Sequence, residues 1–250
     1  MIELFNEDCF EGMKRIADKS VDLVITDPPF GCTACKWDKK IDLLAFHQEL
    51  KRICKEKALL ISFSKQPFTN ELMNAFKGCY KEIWYWKKHV YTGFLLANKS
   101  PLKAIEEILI FKVNKSVTNT LYNPQLVKLD KPRKNNWSKR KRKSDLYSNY
   151  DFEKTIKYTN YAYPKNLLDF YEPQKDKKHP CQKPLELVKY LLKTYSNEEM
   201  LILDPFAGSG VTGVACKECN RNFIGFELNK EYYDKAKNRI ENTNSLILTN

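Results

Sequence analysis

Short runs of branched apolar residues alternate along this chain with stretches whose apolar residues recur every three or four positions. A short branched apolar run predicts a buried strand, and the three-to-four spacing predicts an amphipathic helix. The predicted strands are 1–5, 21–26, 58–63, 80–86, 105–113, 200–203 and 222–227. Three helices are predicted over 41–57, 67–76 and 184–195. Of three others, the first in the chain ends at Ala17, one ends near Glu218, and the last contains Tyr233, Ala236 and Ile240. This alternation predicts an open α/β sheet with helices packed against it.

The pattern is interrupted at two places. Segment 87–104, between two predicted strands, is predicted to be a long, polar and mobile connection. Segment 114–178 is larger and holds 16 Lys and Arg residues against 7 Asp and Glu residues, so +9 of the formal charge of +12 lies there. It also contains Trp137 and seven of the 14 tyrosines. Its basic run is Lys139, Arg140, Lys141, Arg142 and Lys143. Cations interleaved with aromatic rings suit phosphates and stacked bases, so we predict DNA binding here rather than a plain charged linker.

Composition limits the class of protein. A chain of 250 residues forms one large or two small domains with a full core. Its net charge of +12 favours a polyanionic partner. No apolar run approaches the roughly 18 residues that span a bilayer, and no signal peptide opens the sequence. We therefore expect a cytoplasmic protein with no membrane partner, whose eight cysteines are reduced.

The sequence Asp27-Pro28-Pro29-Phe30 follows directly after the apolar run 21–26. It therefore lies at the carboxyl end of a predicted strand, which is where open α/β sheets bind their ligands. Two prolines remove two backbone donors but leave their carbonyl acceptors. The site formed by residues 27–30 would accept hydrogen bonds and present the face of an aromatic ring, which suits a planar, amino-bearing group such as a nucleobase. A plain Pro-Pro turn after a strand is the alternative.

A second motif, with Gly208, Gly210 and Gly213 in the spacing GxGxxG, runs from strand 200–203 into a helix, and Glu227 ends the next strand. This pattern matches a dinucleotide fingerprint, so a nicotinamide enzyme has to be considered. Such a fold needs several more strands after the glycine turn, and only 37 residues follow Gly213. The remaining strands must therefore come from earlier in the chain.

Asp27-Pro28-Pro29-Phe30 resembles the catalytic motif of DNA amino-methyltransferases, written (Asn/Asp/Ser)-Pro-Pro-(Tyr/Phe/Trp). Residues 33–38 resemble the loop that follows this motif in many phage and restriction-modification enzymes. Counted from Met200 and wrapped round to Met1, the predicted strands resemble the seven-stranded, Rossmann-like sheet of S-adenosylmethionine-dependent methyltransferases. The motif order is permuted, because the catalytic motif precedes the cofactor motif (the β order).

The resemblance covers nearly all of the chain except 114–178. It implies a catalytic and cofactor-binding domain formed by 1–113 and 179–250, with 114–178 inserted as the target-recognition segment. Double-stranded DNA is then the expected partner. A homodimer and a cognate restriction endonuclease are further partners that the sequence leaves open.

The same resemblance implies S-adenosylmethionine as cofactor and assigns roles to individual residues. It places Asp8 near the adenine ring and makes Lys183 the best candidate for contacting the methionine carboxylate. The turn Phe206-Ala207-Gly208-Ser209-Gly210 opens a helix, whose amino end suits that carboxylate. Glu227, at a strand end, would bind the ribose hydroxyls. Asp204 is a partner for the ammonium group, or alternatively only a residue that caps the turn.

The chemistry that the resemblance implies is methyl transfer to the N6 amine of adenine in DNA. Asp27 and the Pro28 carbonyl would accept the two amine hydrogens, and Phe30 would stack on the flipped base. The N4 amine of cytosine and the side-chain amide of a protein glutamine would fit the same site. The resemblance favours adenine, because the first position of the motif is aspartate rather than serine. The basic segment argues against a protein substrate. A DNA-binding module without activity is the remaining alternative.

Three other kinds of site are weighed against this interpretation. Two Cys-x-x-Cys pairs could bind zinc, but Cys32/Cys35 belongs to the loop matched above and Cys216/Cys219 is predicted mid-helix, so we predict no metal. The dipeptide 180–181 resembles the nucleophile of cytosine-C5 methyltransferases, but it is far in sequence from the catalytic strand. A zinc deaminase would need Pro-Cys-x-x-Cys, and position 184 is proline.

Replacing residues 139–143 with serine should weaken DNA binding for all sequences, because each phosphate contact releases condensed counterion. The slope of log affinity against log salt should flatten by up to about 0.9 for each lost contact. Affinity measured at several salt concentrations checks this, with a thermal melt as the folding control. Coinciding slopes and affinities would show that the run does not contact DNA.

Overall fold

The computed structural model describes residues 1–31, 39–131, 160–171 and 182–243. Its strands are β1 (Ile2–Phe5), β2 (Val21–Thr26), β3 (Cys54–Ser64), β4 (Tyr80–Thr92), β5 (Lys103–Lys112), β6 (Val127–Lys128), β7 (Tyr161–Ala162), β8 (Leu167–Asp169), β9 (Leu201–Asp204) and β10 (Asn222–Phe226). Its helices are α1 (Cys9–Met13), α2 (Leu43–Ile53), α3 (Phe68–Ala75), α4 (Leu185–Tyr195), α5 (Val211–Glu218) and α6 (Lys230–Glu241). All seven predicted strands are present, with ends that differ by a few residues.

Eight strands form the main sheet in the order β1-β10-β9-β2-β3-β5-β4-β8. The first five are mutually parallel, whereas β5 is antiparallel to both of its neighbours. The predicted adjacency of strands 200–203 and 21–26 is confirmed by the parallel pairing of β9 with β2. The architecture confirms the predicted Rossmann-like α/β sheet with its order wrapped from the last strands back to the first.

The eighth strand comes from the segment that the sequence assigned to the insert. β8 pairs in parallel with β4, so that Tyr85 lies opposite Leu167 and Lys87 opposite Asp169. Within β8 only Leu168 is buried. Three residues carry too little periodicity to predict a strand, so β8 could not be recognised from the pattern.

The structure divides into two compact units, 1–123 with 166–250 and 124–165. Within the smaller unit β6 pairs with β7 in antiparallel orientation. Segment 87–104 is not the polar connection that was predicted. β4 continues through Thr92, and a short 3-10 helix at Phe94–Leu96 turns the chain into β5. No helix in the described ranges is long and apolar enough to cross a membrane.

Helices cover both faces of the main sheet, and the alternation of side chains along the strands supplies both cores. On β2, Leu23 and Ile25 belong to the core beneath α4 and α5, whereas Val24 belongs to the core beneath α1, α2 and α3. All three side chains are fully buried. A central strand buried on both faces positions its carboxyl end rigidly, which matters for the residues that follow it.

Gly210 lies where helix α5 begins, in the left-handed conformation with φ of 71°. A Cβ atom there would stand 2.8 Å from the Cβ and 3.1 Å from the Cα of Ala236 on α6. Nearby Gly208 has φ of 50°, but a Cβ there would meet nothing closer than the Phe206 carbonyl at 3.9 Å. A side chain at position 208 would therefore cause backbone strain alone, whereas one at position 210 would cause backbone strain and a steric clash with α6.

Gly208→Ala should lower the free energy of unfolding by about 1–2 kcal/mol, the cost of a left-handed residue with a side chain. Gly210→Ala should lose about 1–3 kcal/mol more, because its methyl group also overpacks against α6. Chemical denaturation of both variants measures the difference. Equal losses would mean that α6 moves aside to accommodate the extra methyl group.

Candidate active site

The carboxyl ends of β2 and β9 bring two loops together. In their parallel register Leu23 lies opposite Ile202 and Val24 opposite Leu203. Asp27-Pro28-Pro29-Phe30 leaves the end of β2, and the turn from Pro205 to Gly210 leaves the end of β9. Because neighbouring parallel strands end at the same edge of a sheet, the two predicted motifs share that edge.

Asp204 joins the two loops from beneath. One carboxylate oxygen accepts hydrogen bonds from Thr26 Oγ1 at 2.8 Å and from the Phe206 amide at 3.2 Å. The other accepts from Thr212 Oγ1 at 2.6 Å. Burial raises the pKa of Asp204 to about 6, although the threonine hydroxyls oppose that shift. Asp204 thus has the turn-capping geometry, while its predicted contact with a ligand ammonium stays a prediction.

Glu227 follows β10 and supports the glycine turn. Its Oε2 accepts from the Gly208 amide at 2.9 Å, and its Oε1 accepts from the Asn229 amide at 2.8 Å. Burial raises the pKa of Glu227, and the two amides partly offset that shift. Each carboxylate oxygen keeps acceptor capacity after one such bond. This arrangement suits a pair of ligand hydroxyls above the turn.

Asp8 has a second task besides lining the site. Its side chain caps helix α1 by accepting from the amides of Phe10 at 2.8 Å and Glu11 at 3.3 Å. The cap fixes the carboxylate at the end of β1, beside the loop that carries Glu227. The predicted contact of Asp8 with an adenine ring is compatible with this position and stays a prediction.

A large cavity of about 1940 Å³ is lined by all but one of the predicted catalytic and cofactor-binding residues. They are Asp8, Asp27, Pro28, Pro29, Phe30, Lys183, Asp204, Phe206, Ala207, Gly208, Ser209 and Glu227. Gly210 does not line it, because Gly210 packs against α6. Pockets that bind one drug-sized ligand usually have volumes of roughly 300–1,000 Å³. The cavity therefore has room for two ligand groups side by side.

Lys183, just before α4, lies between two carboxylates. Its Nζ is 2.8 Å from Asp27 Oδ2 and 2.6 Å from Glu106 Oε1 on β5. It also lies 4.9 Å from the centre of the Phe63 ring. Burial alone would lower the pKa of Lys183, but the two carboxylates outweigh it and hold the pKa above its usual value. With all three groups ionised the cluster carries one net negative charge.

The other oxygen of Asp27 has a different environment. Asp27 Oδ1 is buried and accepts no hydrogen bond from any described residue. Burial raises the pKa of Asp27 to about 6, Lys183 lowers it, and Glu106 raises it. A buried carboxylate oxygen without a donor is costly unless a ligand supplies one. Asp27 Oδ1 is therefore an acceptor prepared for a donor group that enters the cavity.

Phe30 lines the same cavity as this acceptor and is held from one side. Its ring centre is 5.0 Å from that of Phe68 on α3, and Lys65 Nζ lies 5.2 Å from the Phe30 ring centre. Phe30 is partly buried and lines the cavity. Its position suits an aromatic wall against which a planar ligand can stack.

Residues 21–238 match the family model N6/N4 methyltransferase, described as DNA methylase. The chain belongs to this DNA methylase family. The type II methyltransferase M.HpaI of Haemophilus parainfluenzae is 25% identical over 95% of this chain and 74% of its own. The DNA adenine methyltransferase YhdJ of Escherichia coli K12 is 26% identical over 95% of this chain and 82% of its own. The crystal structure of the M1.HpyAVI–SAM complex superimposes with a TM-score of 0.66 at 25% identity, covering 96% of this chain and 99% of that one.

Glu106 is a site residue of this DNA methylase that the sequence did not reveal. Its only signal was the pair Glu106-Glu107 inside a predicted strand, where alternation requires that one side chain face inward. Lys183 was expected at the site, but facing a ligand carboxylate. The structure instead pairs it with Asp27 and Glu106, so its predicted cofactor contact stays a prediction.

The remaining predictions concern the basic run and the two Cys-x-x-Cys pairs, and only one of the pairs lies within the described residues. The basic run 139–143, Trp137 and the pair Cys32/Cys35 are outside the described residues. The second pair lies on and just after α5, where burial raises the pKa of both Cys216 and Cys219. In the described ranges, His, Cys, Asp and Glu side chains form no group of three or more that could hold a metal ion.

Two substitutions should move the pKa of Asp27 in opposite directions. Lys183→Met removes the cation that lowers it, so the titration midpoint should rise above the wild-type value of about 6. Glu106→Gln removes the anion that raises it, so the midpoint should fall. Carbon-13 NMR of the Asp27 carboxyl group measures both shifts, with Asp27→Asn to assign the signal. Shifts in the same direction would disprove this electrostatic account.

Proposed function

We propose that this DNA methylase transfers the methyl group of S-adenosylmethionine to the N6 amine of adenine in double-stranded DNA. The observation that carries the proposal is Asp27 Oδ1, a buried acceptor to which no described residue donates, in a cavity that the aromatic ring of Phe30 also lines. An exocyclic amine brings two N–H donors on a flat ring, which is the complement of such a site.

The residues around the glycine turn fit the methyl donor. S-adenosylmethionine, when bound, supplies an electrophilic methyl group on a sulfonium. Glu227 binds the ribose hydroxyls with the acceptor capacity left after its two amide bonds. The amino end of α5 favours the carboxylate, and Asp8, which lines the same cavity, is the candidate for contacting the adenine ring. M1.HpyAVI, which resembles this chain over nearly its whole length, was crystallised as a SAM complex.

Asp27 orients the target amine. Its Oδ1 accepts one amine hydrogen and the Pro28 carbonyl accepts the other, which drives the nitrogen toward tetrahedral geometry and frees its lone pair. Phe30 stacks on the base after the base has left the duplex. Positioning and the exclusion of water supply most of the acceleration. Asp27 need not remove a proton before transfer, because the methylated ammonium is acidic enough to lose one afterwards.

The charge cluster prepares Asp27 for this task. Lys183 lowers the pKa of Asp27, which favours the ionised carboxylate, and holds it in place through Oδ2. Ionised Asp27 then stabilises the positive charge that develops on the amine nitrogen. Glu106 completes the net negative charge of the cluster, which favours a cationic donor over its neutral product.

Cytosine N4 is the second candidate target, because its amine presents the same two hydrogens and the family includes both kinds of enzyme. The name of YhdJ, a DNA adenine methyltransferase, and the aspartate at position 27 favour adenine. Target reading is assigned to the inserted segment 114–178, whose excess of positive charge suits DNA.

Expressing the protein in cells without their own methylases and mapping modified bases should reveal N6-methyladenine within one sequence context. The Asp27→Ala variant serves as the matched control, because it removes the acceptor for the amine. N4-methylcytosine in place of N6-methyladenine would show that the target is cytosine. The absence of any modified base would support a DNA-binding module without activity.

Asp27→Ala should abolish methyl transfer while the affinity for S-adenosylmethionine stays within a few-fold, because Glu227 and the glycine turn hold the donor. Turnover on DNA and calorimetric titration with S-adenosylmethionine separate the two effects, and titration with NAD tests the nicotinamide alternative. Near-normal turnover in the variant would show that the carboxylate is not catalytic. Loss of donor affinity would instead indicate a structural role.

A further inference from the structure

An exposed apolar tip joins β4 to β5. The 3-10 helix Phe94–Leu96 leaves Phe94 65% exposed, Leu95 fully exposed and Leu96 56% exposed. Val90 and Tyr91 on β4 are also exposed, and because successive strand residues face opposite sides, each face of the ribbon carries one of them. Single exposed apolar residues are ordinary, but three successive exposed apolar residues at the tip of a ribbon indicate an interaction site.

The charge around this tip indicates the kind of partner. Segment 87–104 contains four lysines and no aspartate or glutamate. Such a segment attracts a polyanion and repels a second copy of itself. The pairing of Lys87 and His89 with Asp169 ties the base of the ribbon to β8, so the tip extends from a strand that is paired on both sides.

The tip also shares the cavity of the active site. Leu96, Gly93 and Val90 line the same cavity as Asp27. Leu96 and Val90 are at once exposed and cavity-lining, so they lie at its rim. A base that enters this cavity from a duplex therefore leaves its stack close to an apolar, cationic ribbon.

We propose that the tip Phe94-Leu95-Leu96 inserts into the duplex and occupies the space that the target base leaves behind. This inference rests on the proposed function. A two-stranded ribbon is narrow enough to enter the major groove. Apolar side chains inserted between base steps stabilise distorted DNA in other nucleic-acid-binding proteins. The tip supplies those side chains, and the lysines of the ribbon attract the phosphates on either side.

The test compares two DNA substrates that carry the mapped target site. In one the target base is fully paired, and in the other an abasic site stands opposite it, so that the base leaves the stack without breaking a pair. Phe94→Ser with Leu95→Ser should lower kcat/KM on the paired duplex about tenfold or more, and on the abasic duplex by only a few-fold. Leu44→Ser on α2 is the matched control, because Leu44 is 63% exposed and does not line the cavity.

Further measurements keep the outcomes distinct. Leu95→Ser alone repeats the test with a side chain whose full exposure makes misfolding an inadequate explanation. Unchanged kcat/KM on the paired duplex, or equal loss on both duplexes, would overturn the insertion while leaving methylation intact. Equal loss together with a smaller sedimenting species would assign the tip to an interface between copies. A wild-type protein that methylates no DNA would overturn the proposed function, and this inference with it.

Discussion

The structure depends on the pairing of β2 with β9, two strands from distant parts of the chain. Thr26 at the end of one strand donates to Asp204 at the end of the other, across 178 positions in sequence. Asp204 also accepts from Thr212 on α5, so one buried carboxylate fixes the loop that begins at Asp27, a glycine turn and a helix relative to each other. Without this junction, the proposed acceptor for the base and the proposed turn for the methyl donor would belong to separate surfaces.

The second constraint is electrostatic. Asp27, Lys183 and Glu106 come from β2, from the residues before α4 and from β5, and they meet at ion-pair distances. Removing such groups from water is expensive, and apolar side chains of similar volume are often more stable. A net negative cluster in this position is therefore better explained by the positive charge of the proposed reaction than by stability.

Much of the fold was predictable, because each central strand is buried on both faces and so carries a continuous apolar run. The two motifs were predictable because each directly follows a short apolar run, and ligand-binding residues of open α/β sheets lie at the carboxyl ends of such strands. Glu106 was not, because only the register of β5 against its neighbours decides which of two successive glutamates faces the cavity. The ion pairs of Lys183 depend on three distant elements. The apolar tip at Phe94–Leu96 was hidden within a segment whose lysines suggested a polar connection.

The position of β9 has a consequence for the way the protein is made. A ribosome produces β2 and β3 early, yet one edge of β2 has no native partner until more than two-thirds of the sequence has emerged. Contacts between strands so far apart form late, because the chain must first close a long loop. The side chains of β2 that are fully buried in the folded protein are therefore exposed in the nascent chain. Until β9 and α5 are synthesised, the nascent chain contains only half of the candidate active site.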